Sequence, residues 1–69
     1  MIIYDRFFAL IKQKGISVYS LLRDGATTPG AAHRMRKNEG ITSKTIDSLC
    51  KALDCQPGDL MEYVPDDNQ

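Results

Sequence analysis

The residues equipped for chemistry gather in one stretch, Thr27 to Asn38, which holds the single histidine, His33, with Arg34, Arg36 and Lys37. Guanidinium groups donate hydrogen bonds in a fixed fork and ammonium groups act as point charges, so the combination suits a phosphate-bearing polyanion. It does not suit proton transfer. One histidine with no Ser, Cys or carboxylate partner at a recognised spacing has nothing to activate, and no glycine-rich loop cradles a phosphate. Asp24-Gly25 and Pro57-Gly58-Asp59 are turn and helix-start chemistry. The chain is not expected to be an enzyme, and His33 reads as an ordinary exposed polar residue.

Cys50 and Cys55 admit three readings: a lone disulfide, half of a metal site, or two thiols used as small apolar side chains. The last is expected, because zinc needs two further ligands and the chain has no Cys-x-x-Cys pair. Neither a metal nor a cofactor is expected.

These groups need a scaffold, and 69 residues are enough for one small one. A domain of this size buries only ~60% of its unfolded surface, which leaves little room for an elaborate cleft or a small-molecule ligand site. Apolar residues at 42% and charged residues at 26% are those of a globular chain. No apolar run approaches the ~20 residues of a membrane span, and Met1 to Asp5 lack the basic start of a signal peptide, so a cytoplasmic location is expected. The formal net charge of zero hides a polarity. Residues 1–53 carry all nine Lys and Arg against four acids, while residues 54–69 carry five acids and no Lys or Arg. A polyanion can dock on the first part, with the acidic end held away or competing within the molecule.

Five helices are expected. Tyr4, Phe7, Phe8 and Ile11 recur at helical spacing after Asp5, a candidate N-cap, and the run stops at Lys14-Gly15. Ser17 caps a second helix from Val18 to Arg23 that buries Leu21, and Asp24-Gly25 breaks it. Thr28 caps a third, with Pro29 at the first helical position, running to about Lys37. Its Ala32 and Met35 face inward, leaving Gly30, Ala31, His33, Arg34, Arg36 and Lys37 outward or flanking. Thr42 caps a fourth helix, bracketed by Ile41 and Ile46 as a hydrophobic staple, with Ile46, Leu49, Cys50 and Leu53 as its apolar stripe. Pro57 opens a fifth, to about Tyr63, burying Leu60. A competing reading of the ends pairs the β-favouring Ile2-Ile3-Tyr4 with Tyr63-Val64, within one chain or across a dimer. Residues 1–65 form a single domain in this reading, and 66–69 a frayed acidic tail.

Helix, short helix, Gly-containing turn, short helix and longer packing helix is the order of a helix-turn-helix domain. The stretches Leu10-Ile11-Lys12-Gln13-Lys14-Gly15-Ile16-Ser17 and Thr42 to Leu60, with the ending Cys-x-Pro-Gly-Asp-Leu-x-Glu-Tyr-Val-Pro, resemble the Cro and phage-repressor (XRE) family. They are most similar to its small stand-alone bacterial and mobile-element members, and the likeness runs over nearly the whole chain. The resemblance implies an all-α, compact five-helix lambda-repressor-like fold and a transcriptional regulator that binds double-stranded DNA, as a homodimer on a two-fold site.

Carried over position by position, the resemblance places Ser17 and Thr28 where helix N-termini meet phosphates, a placement that backbone N–H groups favour independently. Pro29, Gly30 and Arg34 stand where the family reads base edges, with Ala31 and His33 adjacent. Lys37 and Lys44 lie beside the DNA backbone at the far end of the recognition helix, and Arg36 adds attraction blind to sequence. Arg34 is the residue suited to guanine O6 and N7. The chain departs from the pattern at Pro29 and Gly30, where relatives place Gln or Ser, at Val18, where a polar contact is common, and at Ala32, where a larger aliphatic anchors the helix. The competing reading is a protein-interaction module, antitoxin-like or phage-encoded, that keeps the fold with weak or no DNA binding.

Overall fold

The computed structural model describes residues 1–66. The elements run β1 (Ile2–Ile3), α1 (Asp5–Lys14), α2 (Val18–Arg23), α3 (Pro29–Arg36), α4 (Ser43–Leu53), a 3-10 turn (Pro57–Asp59) and β2 (Glu62–Tyr63).

One device closes all four helices: the chain turns into the left-handed region just past the last turn, at Gly15 (φ 71), Gly25 (φ 79), Asn38 (φ 57) and Asp54 (φ 51). The following amide then donates back to a carbonyl five residues earlier, Ile16 to Ile11 at 2.8 Å, Ala26 to Leu21 at 2.9 Å, Glu39 to Arg34 at 2.8 Å and Cys55 to Cys50 at 3.0 Å. Carbonyls that the helix end leaves unpaired are satisfied in this way. Asn38 takes the third of these positions, although Gly40 stands two residues on. At the N-termini, Ser17, Thr28 and Thr42 each accept an amide proton on the side-chain oxygen, from Ser20 (3.1 Å), Ala31 (3.2 Å) and Thr45 (3.2 Å). α1 differs from expectation, because Asp5 is its first helical residue and Tyr4 holds the cap position with no side-chain bond. The Asp5 carboxylate acts there through the helix dipole instead.

The helices close on a core of Tyr4, Phe7, Ile11, Leu21, Ala26, Met35, Leu49, Leu53 and Leu60. Ile41, Ile46 and Cys50, from the expected staple and stripe, are half-buried against it.

The fifth helix is corrected. From Pro57 the chain makes one 3-10 turn, in which the Asp59 carboxylate accepts the Gln56 amide proton at 3.0 Å, and then extends. Residues 62–64 find partners outside a helix: Ile2 pairs antiparallel with Tyr63 and Ile3 with Glu62, and the Val64 amide donates to the Met1 carbonyl at 2.8 Å. The ladder satisfies backbone groups that a helix could not carry past Pro65, which has no N–H. Leu60 is buried nonetheless, and its carbonyl accepts the Phe7 amide at 3.2 Å. Arg6 ties the same segment to α1, donating to the Gly58 carbonyl at 3.0 Å and to the Glu62 carboxylate at 3.3 Å. Of the tail expected at 66–69, Asp66 lies 3.4 Å from the N-terminal ammonium, and residues 67–69 lie outside the described residues.

Candidate nucleic-acid interface

Building α3 outward from its buried side, Ala31, Ala32 and Met35 are 3%, 3% and 1% exposed, a stripe at i, i+1 and i+4 that holds the helix against the core. Ala31 is therefore a correction to the sequence reading, which set it among outward or DNA-facing residues. Its methyl is packed inside and its amide is consumed by the Thr28 cap. The buried side of α3 is thus made of two small side chains and Met35, which share the role that a larger aliphatic at residue 32 would fill.

The opposite side carries Thr28, Pro29, Gly30, His33, Arg34, Arg36 and Lys37, all exposed. Arg34 and Arg36 gain from the negative end of the α3 dipole. Lys44 does not. It sits, exposed, in the first turn of α4, where the dipole disfavours a cation, and an anion bound there offsets that penalty. Lys44 and Thr28 line the same depression of about 270 Å³ with Thr27, Thr45 and Ser48, which corrects the expectation that Lys44 lies with Lys37 at the far end of α3: it stands beside the N-terminal end, and the N-terminal ends of α3 and α4 open onto one surface. Ser17, also exposed, stands at the N-terminus of α2.

Among the described residues the ion pairs are Met1 with Asp66, Arg6 with Glu62 and Arg23 with Asp24, so none engages Arg34, Arg36, Lys37 or Lys44. Glu62 and Asp66 are thus committed to the opposite end of the sequence, Arg6 and the N-terminus. No acid of the described part of the acidic segment forms an ion pair with the α3 cations.

Two residues that position α3 carried no functional signal in the sequence. The Asn38 side chain accepts the Tyr4 amide proton at 3.2 Å while its backbone turns the chain out of α3. Tyr4 is buried, which raises its phenol above the ordinary value of 10.0, and the Ile41 backbone offsets part of that shift. Tyr4 therefore touches the start of the α3–α4 connection through its backbone amide, at Asn38. Thr27, just before the cap of α3, is 6% exposed, and its hydroxyl has no partner among the described residues.

The model for the Cro/C1-type helix-turn-helix DNA-binding domain matches residues 8–66, from α1 past β2. The chain belongs to that family. In the sequence comparison, the chain is 47% identical over 32 residues to an uncharacterized HTH-type transcriptional regulator, YozG, of Bacillus subtilis strain 168. That stretch is 46% of this chain and 38% of the relative, so the likeness spans less than half of either protein. Among solved structures, the transcriptional regulator VanUg superposes with a TM-score of 0.86 at 20% identity, over 94% of this chain and 87% of that one. At that identity the match speaks for the fold. The family is one of helix-turn-helix DNA-binding domains, and α2 and α3 follow one another here across a short connection that contains Gly25. Among the described residues no helix is long and apolar enough to cross a membrane.

Proposed function

We propose that the protein is a cytoplasmic transcriptional regulator that occupies operator DNA, laying α3 in the major groove. The observation that carries this is the cationic outer face of α3, unpaired by acids of the described residues and continuous with the exposed cap Thr28. Arg34 is the base reader, since its fork matches two acceptors on the edge of guanine. Arg36, Lys37 and Lys44 contact phosphates, and Ser17 and Thr28 present helix N-termini to them. Thr28 keeps a hydroxyl proton to donate while its oxygen serves the cap. His33 flanks the groove-facing side, and Pro29 offers only apolar contact.

One such module has few base readers, so the regulator acts as a homodimer on a two-fold site. The exposed Ile2 and Tyr63, opposite one another on the β1–β2 ribbon, support a contact between copies at the chain ends. A second reading, a protein-interaction module on the same fold, is favoured by Pro29 and Gly30, which bring no side-chain donor to the first turn of α3.

Duplexes selected from a random pool, followed by fluorescence anisotropy across a salt series, test the proposal. Affinity is expected to fall steeply with salt. Lys37→Ala weakens all sequences alike and lowers the salt slope by about one, whereas Arg34→Ala relaxes preference at one position. Salt-independent or absent binding overturns the DNA reading and leaves the interaction module. Sedimentation of the free and DNA-bound protein tests the dimer.

A further inference from the structure

Arg34 lies one turn after Gly30 on α3, and its guanidinium Nη1 sits 3.5 Å from the point that a β-carbon on residue 30 would occupy. Helical side chains lean toward the N-terminus, so residue i+4 covers the surface above residue i. What it covers here is bare. Gly30 has no side chain, the Pro29 ring carries no donor, and the Thr28 hydroxyl, whose oxygen accepts the Ala31 amide proton, has a single proton to donate. Over the first turn of α3 the guanidinium is thus the group equipped to donate two parallel hydrogen bonds, and no acid of the described residues holds it elsewhere.

We propose that Gly30 is a specificity-determining residue: its bare Cα is the seat across which Arg34 reaches the base pair facing the first turn of α3, and the two residues read one guanine as a unit. The inference rests on α3 entering the major groove. Guanine is the base because its major-groove edge presents two acceptors, O6 and N7, at the spacing of the fork, whereas adenine and cytosine each place a donor there. A methyl at residue 30 meets the guanidinium at ordinary contact distance and leaves it in place. A longer side chain occupies the seat and lifts the guanidinium off.

The test compares the parent chain with Gly30→Ala, Gly30→Gln, Gly30→Leu, Arg34→Ala and the Gly30→Gln/Arg34→Ala double variant. Duplexes are selected with the parent, and affinities are then measured on the selected site and on sites substituted at each base pair. The parent is expected to prefer guanine at one pair by roughly 5- to 150-fold, and Gly30→Ala to keep that preference. Gly30→Gln, Gly30→Leu and Arg34→Ala each lose it at that same pair, and the double variant loses no more than Arg34→Ala alone. Residue 30 is exposed, and far-UV circular dichroism verifies that each variant is folded. Retention of the guanine preference in Gly30→Gln and Gly30→Leu overturns the proposal, as do losses at different base pairs or losses that multiply in the double variant. A parent that selects no duplex removes the DNA reading itself. A selective parent whose preference survives the blocking variants removes only the role of Gly30.

Discussion

Replacing Thr27 by valine is expected to stabilise the protein, although it deletes a polar group beside the recognition helix. Thr27 is 6% exposed and its Oγ1 has no partner among the described residues, so folding strips water from a hydroxyl and returns nothing. An unpartnered buried hydroxyl costs about 1–3 kcal/mol. Valine keeps the β-branch and nearly the same volume, so no cavity or overpacking offsets the gain, and a net of about 1–2 kcal/mol is expected. A domain of this size holds about 3–10 kcal/mol in total, which makes such a change easy to read. It corresponds to an upward shift of roughly 4–15 °C in Tm. Urea titration should show a higher midpoint with an unchanged slope, since the surface exposed on unfolding is the same. Thr27→Ala, which lacks both γ-methyls of the valine variant, should fall below Thr27→Val by about 2 kcal/mol. Thr27→Val equal to or less stable than the parent would refute the reasoning, because it would mean that the hydroxyl is hydrogen-bonded in solution.

Asn38→Ala should destabilise more than Asn38→Gly by about 1 kcal/mol in urea titrations, because both lose the bond to the Tyr4 amide but only alanine resists the positive φ. Thr28→Ala removes the cap of α3 and should lower stability by about 1 kcal/mol, and anisotropy should show weaker DNA binding for every sequence. Burial, aided by the neighbouring Cys50, pushes the Cys55 thiol up from 9.0 to about 11, and burial raises the Tyr4 phenol above 10.0. The folded state then holds these protons where the unfolded chain has released them, so the contribution of these two groups to stability is fully present below pH 9 and declines as pH rises above it. Cys55→Ala should remove the part of that decline lying between pH 9 and about 11, read from urea midpoints across the pH series.

The short-range signals in the sequence were reliable where the chain has few local options. Ser17, Thr28 and Thr42 each cap the helix they precede, Pro29 opens α3, and the Leu49/Leu53 stripe faces the core as its spacing implies. A hydroxyl beside unpaired amides, a ring with fixed φ and a period of 3.6 residues act within one or two turns, so no distant residue is needed to read them. The C-terminal segment followed the other course. Pro57 and Leu60 fit a helix start as well as a turn, and what decided between them was the availability of Met1 to Ile3 as a pairing partner.

Ala31 and Asn38 mark the same divide on the recognition helix. Periodicity alone places Ala31 near the boundary between faces, and an alanine carries too little hydrophobicity to choose a side. Its burial depends on how closely α3 approaches the core, which is set by Ala32 and Met35 together with the helices beneath them. The pin from Asn38 to Tyr4 joins residues 34 positions apart, and nothing local in either one announces it. The sequence by itself therefore determined the starts of α2, α3 and α4, the cationic outer face of α3 and the family. The tertiary structure decided which way the ends of the chain pair, how deeply α3 is seated, and which cations Glu62 and Asp66 meet, because those depend on distances between segments that the order of residues does not contain.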